Sequence, residues 1–138
     1  MTQPLKALTI TPCWAYAVMD LGKKIENRKW APSYRGPLLV HAGKSFKVHE
    51  FERICEFAEE DRKRIPKRED ILIGGIIGAV DFFKVIEDGD PGSDDTWFGG
   101  PYGWVFRKIR STPFLPMNGQ LGLFNIDPPT SWRRKAGL

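Results

Sequence analysis

The chain has 138 residues, which bounds it to one domain built around a single core. Hydrophobic residues make up 41% and charged residues 28%, a globular balance that excludes a disordered or fibrous chain. The net charge of +4 permits a nucleic-acid partner without requiring one.

The two cysteines, Cys13 and Cys55, fall in apolar helical patterns and read as reduced core residues of a cytoplasmic protein. With two histidines well apart from them, no zinc spacing forms, so neither a metal nor another cofactor is expected. No apolar run approaches a membrane span, and the N-terminus carries no signal-peptide pattern.

Leu5 to Ile10 alternates as a first strand. Thr11-Pro12 reads as a helix start, with Thr11 able to cap and Pro12 suited to the first helical position. The helix from Pro12 to Leu21 is apolar on most sides and should be buried, and Gly22 stops it.

Lys24 to Trp30 is expected as the second strand, and it carries the densest chemistry of the chain, Lys23-x-x-Glu26-x-Arg28. Strand alternation puts Glu26 and Arg28 on one face, where carboxylate and guanidinium can fix each other. Lys23 is then free at the strand's start to meet a ligand. Pro32, Ser33 and Gly36 mark a turn, and Pro37 to Ala42 reads as a central third strand. His41 and Lys44 follow its apolar run. Histidine moves protons near neutral pH, yet at a strand end it is more often a satisfied structural residue.

Ser45 to about Asp61 is expected as a second helix. Its core face carries Phe51, Ile54, Cys55 and Ala58, and its solvated face carries Glu50, Glu52, Arg53, Glu56, Glu59 and Glu60. The charged run Arg62 to Asp70 offers cations to phosphates but can equally be a solvated loop. Ile71 to Val85 reads as a long strand whose Gly74, Gly75 and Gly78 mark bends or close backbone approach. Glu87 to Gly100 is a loop long enough to be functional or mobile. Tyr102 to Arg110 is a strand with Tyr102, Trp104 and Phe106 on one face, Pro113 to Pro116 a bend, and Leu121 to Ile126 the last strand. Of the five tryptophans, Trp104 reads as core, while Trp14 and Trp97 are candidates for stacking at a cleft.

These elements predict an α+β domain over 1–138: a small curved mixed barrel of about six strands with two main helices. Its core spans 5–126, and the tail 127–138 is expected to be loosely held.

The blocks KALTITPCWAYAVMDLGKKIENRKW, YRGPLLVHAGK, IIGAVDF, YGWVF and NGQLGLFNI resemble the ASCH domain, the activating signal cointegrator-1 homology family of the PUA-like superfamily. The resemblance runs from Leu5 to Ile126. Of the family's signature G-x-K-x-x-E-x-R, the chain matches Lys23, Glu26 and Arg28, while Leu21 stands at the glycine's place and Gly22 follows one residue later. The resemblance implies a small barrel with a cleft beside the signature run that takes RNA or a single nucleotide.

Three functions fit. In a binding module for RNA, single-stranded nucleic acid or a modified nucleoside, Lys23 and Arg28 meet the ligand's phosphate or base oxygens, with His41 and Lys44 as further binding candidates. Trp14 or Trp97 stacks a base, and Glu26 holds Arg28 or accepts from an exocyclic amine. One branch of the family resembles an amidohydrolase acting on N4-acetylcytidine; there Lys23 and Glu26 are the catalytic candidates, but Glu26 occupies the place of that branch's threonine. Another branch is similar to a single-strand-specific ribonuclease; there His41 and Lys44, joined by Lys23, are the candidates, although no histidine pair marks an acid–base couple. Binding is the preferred reading.

Overall fold

A computed structural model describes residues 4–138; the first three residues of the expected domain lie outside it. The element order is β1 (Leu5–Ile10), α1 (Pro12–Asp20), β2 (Ile25–Arg28), β3 (Gly36–Ala42), α2 (Val48–Glu60), β4 (Gly75–Glu87), β5 (Tyr102–Pro116), β6 (Leu123–Ile126) and α3 (Thr130–Ala136). A short 3-10 turn, Arg68–Asp70, precedes β4.

The six strands form one mixed sheet in the order β2-β5-β4-β3-β1-β6. The β1–β3 pair is parallel and the other ladders are antiparallel. The sequence predicts a barrel, and here the structure corrects it. The sheet stays open, with β2 and β6 as its edges. Each edge strand is four residues long. Curvature is nevertheless built in. The β4–β5 ladder shifts register at three places, and each bulge bends and twists the strands. Gly75 and Gly78 permit the close approach anticipated for them: a Cβ would lie 2.6 Å from the Leu115 carbonyl oxygen at the first and 2.9 Å from that of Arg110 at the second.

The main core lies between the sheet and α1. It joins Leu8, Ile10, Val18, Val40, Phe82, Trp104 and Phe106, with Phe82 stacked on Trp104 at 5.0 Å. Burial of such side chains contributes about 1.5–3 kcal/mol each. A smaller cluster of Cys13, Ala17, Leu21, Ile54 and Ala58 glues α1 to α2. Cys55 on α2 is only half-buried.

Two further expectations change. β5 does not end at Arg110 but runs on to Pro116. β2 pairs only with Tyr102–Val105, so the far half of β5 has a free edge on which prolines cost no ladder bond. The tail is not loose. It forms α3, whose Trp132 packs with Phe124 and Ile126 and donates its indole N–H to the Pro113 carbonyl at 2.8 Å. The described residues therefore contain three helices rather than the expected two. None is long and apolar enough to cross a membrane.

Candidate functional site

The site begins where α1 ends. Gly22 adopts a positive φ of 75°, and the Lys23 N–H closes back on the Ala17 carbonyl at 3.1 Å, so a left-handed glycine ends the helix. This turns the Lys23 side chain inward beneath α1. The sequence reading left Lys23 free; the structure buries it to 4% exposure. Its ammonium donates to the Ile25 carbonyl and to Glu26 Oε1 at 3.2 Å, and lies 5.6 Å from the Trp14 ring.

β2 then sets Glu26 and Arg28 side by side, as alternation requires. Arg28 donates through Nε to Glu26 Oε2 at 3.0 Å and through Nη2 to the Thr9 carbonyl at 2.8 Å. Its guanidinium also lies 5.9 Å from the Trp104 ring. Glu26 thus has one cation on each carboxylate oxygen while only 8% exposed. Breaking such a buried pair costs several kcal/mol, because a desolvated charge is left behind.

Two grooves meet over this triad, and Trp14, Glu26 and Asn27 line both. One, of about 310 Å³, runs past Lys23 to Arg53, Phe57 and Trp97. The other, of about 450 Å³, runs past Arg28 to Thr9, Thr11, Lys44, Ser45 and Glu50. Either has room for a base, and the two together have room for more than one nucleotide.

Aromatic rings wall the first groove. Trp97 lies 4.1 Å from Phe57 and meets Trp14 edge-on at 6.4 Å. Its loop is anchored by Asn27, whose Nδ2 donates to the Trp97 carbonyl at 3.0 Å. The Asn27 Oδ1 accepts from the Gly99 and Gly100 N–H groups at 2.8 and 3.1 Å. Asn27 is a positioning residue that the charged pattern around it concealed.

Of the sequence-predicted residues, the structure brings Trp14, Lys23, Glu26, Arg28, Lys44 and Trp97 to these grooves. Lys44 is exposed and donates to Asn118 Oδ1 at 3.0 Å. His41 stays beneath them. It is 1% exposed, and its Nε2–H donates to the Met117 carbonyl at 2.8 Å. Nδ1 therefore accepts from the Thr9 hydroxyl at 3.1 Å. Gly119 closes over this pair; a Cβ there would sit 2.9 Å from the ring. His41 is thus a satisfied structural histidine.

The charged run also falls short of a phosphate comb. Arg64 pairs with Asp70 at 2.9 Å, and Arg68 lies 3.6 Å over the Phe46 ring. Lys67 and Arg64 hold the Asp70 carboxyl below the usual range, chiefly through the Lys67 backbone N–H.

Besides Asn27, sequence reasoning missed three groove features. The Thr11 hydroxyl makes no helix cap and instead lines the second groove. Arg53 lies on the rim of the first. Glu50, read as solvated, is buried to 8% exposure. Beside it, burial pushes the Cys13 thiol up to about 11, and the Glu50 charge adds to the effect.

A comparison with protein-family models finds no match, and none of the curated proteins matches the chain.

Proposed function

We propose that this chain is an ASCH-like module of PUA-like descent that binds single-stranded RNA or a nucleotide in the paired grooves over Lys23, Glu26 and Arg28. The observation that carries the reading is the triad itself: a buried carboxylate clamped by two cations at the junction of two nucleotide-sized grooves, one of them walled by Trp14 and Trp97. Such a clamp holds Arg28 and Lys23 rigidly, so a guest meets a preorganised surface at little ordering cost. Aromatic walls supply stacking that tolerates any base, worth about 1–3 kcal/mol per base. Lys44 on the rim of the second groove adds attraction to phosphate that weakens with salt.

Amide hydrolysis and RNA cleavage are weaker readings. Lys23 and Glu26 neutralise each other, Glu26 offers no hydroxyl nucleophile, and His41 has both ring nitrogens occupied. The test is to incubate the protein with labelled single-stranded RNA and separately with N4-acetylcytidine. Salt-dependent retention of intact RNA is expected. Released acetate or RNA fragments would replace the binding reading with a hydrolytic one, and no retention at low salt would remove it.

A further inference from the structure

Two glutamates line the second groove, and their carboxylates are in opposite states. Glu26 has a cationic partner on each oxygen. Glu50, in the first turn of α2, is equally buried, yet its Oε1 has no hydrogen-bond partner. A buried acceptor left unmet is a standing cost, and native structures rarely keep one without a use. Thr11 and Ser45 line the same groove, of about 450 Å³, and neither hydroxyl meets Glu50 Oε1, while the Thr9 hydroxyl is taken by His41. The unmet demand is for a hydrogen-bond donor, which a guest in the groove can bring.

We propose that Glu50 is a base-reading residue that selects nucleobases carrying an exocyclic amine over uracil. The proposal rests on the nucleotide-binding reading above and assigns its specificity. An ionised carboxylate only accepts hydrogen bonds. At position 4 cytosine offers N4–H₂ where uracil offers a carbonyl oxygen, so a carboxylate facing that position attracts the first and repels the second. Glu26 cannot fill this role, because Lys23 and Arg28 already occupy it.

The experiment measures binding of short oligocytidine and oligouridine of equal length at one low salt concentration near neutral pH. Equal phosphate number and ring size leave the base edge as the variable. The native protein should prefer oligocytidine by roughly ten-fold, the size of one polar base contact. Glu50→Gln, whose amide can serve either base, should bring the preference below about three-fold while thermal melting shows a folded chain. Glu50→Met should weaken oligocytidine binding and strengthen oligouridine binding, because the repulsive carboxylate is gone. Equal binding of both oligomers by the native protein overturns the Glu50 assignment and leaves the nucleotide reading standing. A preference that survives Glu50→Gln also overturns it. Binding of neither oligomer removes both.

Discussion

His41 and Glu50 are both buried polar side chains, and they differ in how their polar atoms are met. His41 has a protein partner on each ring nitrogen, from Thr9 and Met117. Glu50 leaves Oε1 without one. The contrast separates structure from function better than residue type does. Histidine is the commoner catalyst, yet here it is a cross-link between β3 and the segment after β5. Glutamate on an acidic helix face is ordinarily solvent-facing, yet here it is the acceptor with nothing to accept.

The sharpest way to test that contrast is to push Glu26 towards the state of Glu50. Lys23→Ala removes one of the two cations and leaves the Ile25 carbonyl unmet, so it should cost about 3–5 kcal/mol in urea denaturation. A variant of unchanged stability would show that the clamp is not buried as described.

His41→Leu should cost about 2 kcal/mol by leaving the Thr9 hydroxyl and Met117 carbonyl unmet. The folded fraction should keep native RNA affinity. Loss of affinity out of proportion to loss of fold would move His41 into the site.

Glu50→Met should have the opposite sign. Replacing an unmet buried carboxylate by an apolar chain of similar length should raise stability by about 1 kcal/mol, read as a higher denaturation midpoint with an unchanged slope. Destabilisation would mean that Glu50 has a structural partner and the comparison fails.

The smallest effect concerns the thiol beside Glu50. Burial pushes Cys13 up to about 11 from 9.0, so the native state holds that proton after the unfolded chain has lost it. The Cys13 contribution is then flat below about pH 9, and stability falls as pH rises towards about 11. Cys13→Ala should flatten the decline. At neutral pH, iodoacetamide should label half-buried Cys55 before Cys13, as followed by mass spectrometry.

The sequence made local features legible and tertiary ones less so. β1, α1, β3 and the Glu26–Arg28 pairing follow from alternation, Pro12 and Gly22, all signals within a few residues. The burial of Lys23 depends on a backbone turn and on Trp14 above it, so its charge suggested exposure. Glu50 lies among the acidic residues of α2, and only its burial in the lining of the second groove reveals it. α3 was hidden because Trp132 is the lone aromatic residue in a proline-rich, basic tail. Openness of the sheet depends on whether β2 and β6 meet, and nothing in either four-residue segment encodes that.

The most direct measurement is a nitrogen–proton NMR titration with short single-stranded RNA, following the tryptophan indoles. The account predicts that the Trp14 and Trp97 signals shift with saturation. Those of Trp104 and Trp132, tied to the Trp30 and Pro113 carbonyls, should stay in place. Saturable shifts confined to other indoles, or none at low salt, would contradict a nucleotide site over the Lys23–Glu26–Arg28 clamp.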